Sequence, residues 1–156
     1  MIKVGIIGSS GYTGGELIRL LLNHPEVAID FVYSTTRAGQ KITNTHQDLL
    51  GQTELEFSGF VNKRVDIVFL CLGHGNSIQF LKENPFSENT LIIDLSNDFR
   101  LKNDSKFNGE HFVYGLPEIN REAIKSAKIV ANPGCYPTAT TLGFLPLVKH
   151  GLVNVS

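Results

Sequence analysis

Ile2-Lys3-Val4-Gly5-Ile6-Ile7 is a β-branched run that stops at Gly8, and two more glycines, Gly11 and Gly14, stand before the leucine-rich segment Glu16–Asn23. No other stretch limits the fold as much, because strand, glycine turn and amphipathic helix in that order open a βαβ unit. Its second strand is Val27–Tyr33, reached after a break at His24-Pro25. Asp66–Leu72 and Leu91–Leu95 are continuous apolar runs of the kind found in parallel strands buried on both faces. Together they predict an α/β fold, Rossmann-like and doubly wound, with a mainly parallel sheet and helices on both faces.

The glycines are spaced Gly8-x-x-Gly11-x-x-Gly14, with Ser10 where the commoner G-x-G-x-x-G pattern has its second glycine. Glycines at such a turn let the backbone approach a pyrophosphate, whose charge the following helix N-terminus stabilises. The other reading is a purely structural turn. At the end of the second strand the chain offers Ser34, Thr35 and Arg37, with Asp30 inside the strand. A carboxylate at the strand end would bind a ribose 2′-hydroxyl, whereas hydroxyls and a planar guanidinium suit a 2′-phosphate. NADP(H) is therefore the expected cofactor, and Arg37 its phosphate clamp. Gly73-His74-Gly75-Asn76 leaves the third strand at the edge where open α/β sheets bind ligands, so Gly73 and His74 are expected beside the dinucleotide, with Ser77 as the N-cap of the next helix.

Ile129-Val130-Ala131-Asn132-Pro133-Gly134-Cys135-Tyr136-Pro137 passes from strand to turn to helix, with Pro137 in the first helical turn. Unpaired N–H groups and the positive end of a helix dipole at such a junction favour a thiolate over a thiol. Cys135 is a candidate nucleophile; as a small buried side chain filling a corner it would be a plain packing residue. Cys71, inside an apolar strand, reads as structural.

With 156 residues, 42% hydrophobic and 19% charged, the chain has the size and composition of one globular domain. A formal charge of -1 gives no long-range attraction to nucleic acid or an anionic membrane, which leaves a small molecule as the expected ligand. Two cysteines form no disulfide framework and have no zinc-ligand spacing, and the start of the chain lacks a secretory leader pattern. The apolar run Ile67–Leu72 is too short to span a bilayer. These features predict a cytoplasmic protein without a metal.

The segment Ala131–Ala139 closely resembles the nucleophile segment of N-acetyl-γ-glutamyl-phosphate reductases, enzymes of arginine biosynthesis related to aspartate-semialdehyde dehydrogenases. Gly8–Gly15, Asp94–Leu101 and Val113–Glu118 resemble the same family in the same order. The resemblance implies Cys135 as catalytic residue, with Gly8, Ser10, Gly11, Tyr12, Thr13 and Gly14 on the dinucleotide and Ser96, Arg100 and Asn132 on the substrate side. It implies NADPH-dependent reduction of an acyl phosphate to a semialdehyde through a cysteine thioester, in a homo-oligomer. The family usually carries a proline where this chain has Gly73, and its catalytic histidine matches none of His24, His46, His74, His111 and His150. Family members are roughly twice this length. Residues 1–148 are accordingly expected to form the NADP-binding domain and 149–156 to open a second domain, with little or no catalysis by these residues alone. The alternatives are an aspartate-semialdehyde dehydrogenase-like acyl-phosphate reductase and a non-catalytic NADP-binding module. Read from the residues alone, Arg100 either holds a substrate anion or pairs with Asp94 or Asp98.

Overall fold

The computed structural model describes residues 1–153. In chain order the elements are β1 (Ile2–Ile7), α1 (Tyr12–Leu22), β2 (Val27–Tyr33), β3 (Ile67–Leu70), α2 (Ser77–Glu83), β4 (Leu91–Asp94), β5 (Lys106–Phe107), β6 (Glu110–His111), β7 (Val113–Tyr114), α3 (Pro117–Ser126), β8 (Ile129–Ala131) and α4 (Cys135–Lys149). Six strands form one parallel sheet in the order β2-β1-β3-β4-β8-β7, and β5 and β6 make a separate antiparallel ribbon.

Strand alternation divides the core between the two faces of this sheet. Val4, Ile6 and Val32 pack with Ile18 of α1 and with Ile42, Leu49 and Phe57 from the connection after β2. Ile7, Phe31, Val68 and Leu70 face the other way and pack with Leu81 of α2, Phe99, Phe112 and Ile129. Side chains one residue apart thus serve opposite layers, as the period of two requires. Gly5 interrupts β1 because Phe31, its register partner, lies across it: a Cβ there would run into the Phe31 ring.

The structure moves several predicted boundaries. Helix α1 begins at Tyr12, so Gly14 and Gly15 lie inside its first turn rather than before it. Glycine inside a helix costs about 1 kcal/mol relative to alanine, and close packing accounts for both positions: a Cβ on Gly14 would meet the Ser9 backbone at 2.6 Å. Helix α3 starts at Pro117, which occupies a first-turn position as its missing N–H permits. Between β2 and β3 the sequence suggests a short helix around His46–Leu50 and a short strand at Leu55–Phe57; the structure has two 3-10 turns, Ile42–Asn44 and Gln47–Leu49, and isolated bridges at Lys41–Glu56 and Tyr33–Ser58. The polarity of residues 102–109 predicts loop, but the structure starts the β5–β6 ribbon within that span. Its turn is Asn108-Gly109, with φ of 48° and 89°, a hairpin signal legible in the sequence.

Helix α4 carries Tyr136, Phe144, Leu147 and Val148 exposed, and none of its residues is buried. The opening of a second domain expected over 149–156, read as the start of a new strand, lies partly at 154–156, outside the described residues.

Candidate functional site

The C-terminal ends of the parallel strands bring the predicted residues to one edge of the sheet, in two groups joined by the loop after β3. At the first group, β1 ends in Gly8, whose φ of +74° and closeness to the Cys71 carbonyl (2.5 Å from a built Cβ) leave no space for a side chain. Ser9 is buried and its N–H and hydroxyl both donate to the Tyr33 carbonyl, at 3.1 and 2.9 Å. The Ser10 and Ser34 hydroxyls are 3.0 Å apart, which fastens the glycine turn to the end of β2. Gly11, Tyr12 and Thr13 are exposed, and Gly11 stands at the N-cap without a side-chain cap among the described residues. The first turn of α1 carries no acidic residue. An uncapped, uncrowded helix start of this kind fits a pyrophosphate. Thr35 and Arg37 are exposed in the turn after β2, while Ser34 is buried.

A residue not singled out from the sequence supports this turn from below. His46 Nε2 lies 2.8 Å from the Ser9 carbonyl, and its ring fills the space where Gly15 would carry a Cβ. Asp48, two residues on, pairs with Arg19 of α1 at 2.5 Å. No local pattern announces His46, since its partners lie on another element.

The second group forms where β4 and β8 end side by side. Asn132 N–H donates to the Asp94 carbonyl at 2.8 Å, and Gly115 N–H donates to the Ala131 carbonyl at 2.8 Å. Arg100 pairs with neither Asp94 nor Asp98. Its Nε donates to the Asn132 carbonyl at 2.8 Å and its Nη2 to the Leu95 carbonyl at 2.7 Å. The third nitrogen, Nη1, comes within 2.9 Å of a Cβ built on Gly134, so the guanidinium is laid directly under the turn that delivers Cys135. Cys135 is exposed and is the first residue of α4, with Pro137 in the same turn. Its position as a buried filler is thereby ruled out.

Ser96, expected on the substrate side, is fully buried. Its hydroxyl donates to Asp94 Oδ2 at 2.6 Å and accepts from Asp98 N–H at 3.1 Å. Asp94 Oδ1 accepts from the Ser77 hydroxyl at 2.5 Å. Burial raises the Asp94 carboxyl above its ordinary value, against the two serine hydrogen bonds that favour its charge. Cys71, half-buried behind the glycine turn, is pushed up to about 12 by burial and then by the Asp94 charge.

Ser77 is not the N-cap of α2. That position belongs to Asn76, and the helix start is held by Asp98 from the loop after β4. Gly73 and His74 lie exposed in the connecting loop, where His74 Nδ1 accepts from Asn97 N–H at 3.1 Å. The ring of His74 therefore ties two loops together.

The family model described as "Semialdehyde dehydrogenase, NAD binding domain" matches residues 3–127. The chain is 60% identical to the N-acetyl-gamma-glutamyl-phosphate reductase of Flavobacterium johnsoniae and 59% identical to that of Christiangramia forsetii, in each case over 99% of this chain and 47% of the relative. It thus spans about half the length of the curated relatives it matches. Among solved structures, aspartate semialdehyde dehydrogenase II from Vibrio cholerae, complexed with ASA, superposes with a TM-score of 0.68 at 21% identity, over 96% of this chain and 47% of that one. Aspartate semialdehyde dehydrogenase with NADP from Candida albicans gives 0.66 at 17% identity over the same shares. These two show the same fold. No helix among the described residues is long and apolar enough to cross a membrane. With most of its length matched by the family model, the chain belongs to the semialdehyde dehydrogenase family, through the NAD binding domain of that family.

Proposed function

We propose that the intact protein is an NADPH-dependent N-acetyl-γ-glutamyl-phosphate reductase and that these residues supply its cofactor site and its nucleophile. The observation that carries this reading is the placing of Cys135. It stands exposed at the start of α4, on a turn propped by Arg100, at the same sheet edge as the uncapped glycine turn. A dinucleotide-binding module without chemistry would need the glycine turn alone. The relatives' names support an N-acetyl-γ-glutamyl substrate over the aspartyl one of the more distant structures.

Cys135 Sγ stands exposed at the N-terminal end of α4, open to an incoming acyl carbonyl. The thiolate attacks the carbonyl carbon of the acyl phosphate; the C–S bond forms, the C–O bond to phosphorus breaks, and phosphate leaves with its electron pair. Backbone N–H groups at the helix start face the oxyanion that develops. NADPH, when bound, would supply a hydride to the carbonyl carbon of the resulting thioester, which brings that carbon to the aldehyde oxidation level. The C–S bond then breaks and Cys135 is released as thiolate. Gly8, Ser10, Gly11, Tyr12, Thr13 and Gly14 hold the pyrophosphate side, Ser34, Thr35 and Arg37 hold the 2′-phosphate, and Gly73 and His74 line the path between. Arg100 and Asn132 shape the substrate side, and Ser96, with its hydroxyl turned inward, acts by positioning that loop. The domain boundary falls near residue 148, and a second domain supplies the general acid–base group and the contacts of a cytoplasmic homo-oligomer.

Two measurements test the reading. The intact protein should reduce NADP+ with N-acetylglutamate semialdehyde only when phosphate is present, and Cys135→Ser should abolish this. Separately, Arg37→Ala should weaken NADPH binding by about tenfold or more, the loss of a charge-assisted contact, while leaving NADH binding unchanged. Equal loss for both cofactors would remove Arg37 from the 2′-phosphate site.

A further inference from the structure

The loops after β3 and β4 are fastened together by one carboxylate. Asp98 Oδ1 accepts from Gly75 N–H at 2.6 Å, and Oδ2 accepts from Ser77 N–H at 2.9 Å and from Ile78 N–H at 3.4 Å. The carboxylate thus does for α2 what Asn76, at the N-cap, does not do: the Asn76 side chain turns back to the Gly73 carbonyl at 3.0 Å. Gly75 has a φ of +84° and open space around it, so the backbone there is restrained by this contact rather than by packing. Beside it, Asn97 N–H reaches His74 Nδ1, and two residues beyond Asp98 the Arg100 side chain props the turn before Cys135.

We propose that Asp98 is a positioning residue that sets the place of the nicotinamide half of the dinucleotide by holding the segment Gly73–Asn76. The proposal rests on the assignment of the glycine turn to a dinucleotide. The strand order supplies its geometry: β2, with Ser34, Thr35 and Arg37 at its end, is one edge of the sheet, and β1 carries the glycine turn next to it. A dinucleotide with its 2′-phosphate at β2 and its pyrophosphate on α1 extends over the ends of β3 and β4 toward β8 and Cys135. Gly73–Asn76 lies beneath that second half. The carboxylate contacts none of the residues assigned to the 2′-phosphate.

The consequence is a split between ligands. Calorimetric titration of the intact protein with NADPH, and separately with 2′,5′-ADP, which lacks the nicotinamide half, reads it directly. In Asp98→Asn the NADPH dissociation constant should rise about tenfold, the equivalent of one charged hydrogen bond, while that of 2′,5′-ADP stays unchanged. Asp98→Glu, which keeps the charge, should recover part of the loss. If Asp98→Asn does not fold, Asp98→Ser, which keeps a short acceptor, takes its place with the same split expected. Equal weakening of both ligands would reduce Asp98 to a general stabiliser and overturn the proposal, as would no change in either. A wild-type protein that binds neither ligand is a different result, which removes the dinucleotide assignment and this proposal with it.

Discussion

The His46 ring occupies the place where a side chain on Gly15 would go: a Cβ built there lies 2.5 Å from both Cε1 and Nδ1 of the imidazole. The same ring is bonded through Nε2 to the Ser9 carbonyl, so it cannot step aside without releasing the glycine turn.

Gly15→Ala therefore sets helix propensity against a collision. Propensity favours alanine by about 1 kcal/mol, while overpacking costs about 1–3 kcal/mol and the Ser9 contact is lost as well. The collision should win, lowering the urea midpoint and weakening NADPH binding. In a His46→Ala background the obstacle is absent, and Gly15→Ala should become neutral or stabilising. Additive effects in that double-mutant cycle would contradict the arrangement.

Asp94 makes stability depend on pH in a definite direction. Its folded pKa is raised, chiefly by burial, so the folded state binds its proton more tightly than the unfolded chain does. The stabilisation this provides is complete below the unfolded carboxylate value of about 4 and is lost as pH rises through the raised folded value. The stability of the wild type minus that of Asp94→Asn, from urea unfolding at a series of pH values, should fall across that window and then level. A difference that grows with pH would show that the site favours the charged carboxylate.

The two cysteines should be chemically distinct. Cys71, pushed up to about 12, holds only about one part in ten thousand as thiolate at pH 8, whereas Cys135 is exposed at a helix start. Iodoacetamide at that pH should add one carbamidomethyl group per native chain, and Cys135→Ser should remove it. Two adducts on the folded protein would mean that Cys71 is open to solvent.

Arg100→Lys tests the prop beneath the nucleophile turn. An ammonium cannot span the Leu95 and Asn132 carbonyls as the guanidinium does, so one charged hydrogen bond is lost, worth about 1.5–3 kcal/mol. Chemical denaturation should register that loss, and Cys135 alkylation should change rate with it. An unchanged midpoint would show that the turn holds itself.

Much of this was legible in the order of residues. The β-branched runs, the glycines and the Pro133-Gly134 turn predict the parallel sheet and bring Gly8–Gly14 and Cys135 to strand ends, because local propensity and alternation agree with the final fold there. The Asn108-Gly109 dipeptide carries a hairpin signal, yet the polarity of 102–109 reads as loop, so the β5–β6 ribbon is not among the expectations. What tertiary structure alone decided are the contacts between loops: His46 under Ser9, Asp98 on α2, and Arg100 on two carbonyls instead of a carboxylate. Ser96 belongs with them, since its hydroxyl serves Asp94. The sequence determines which strands form and which turns end them, through backbone preferences that act within a few residues. Which polar side chain satisfies which distant N–H or carbonyl depends on burial, and burial exists only once the sheet has brought β1, β3, β4 and β8 side by side.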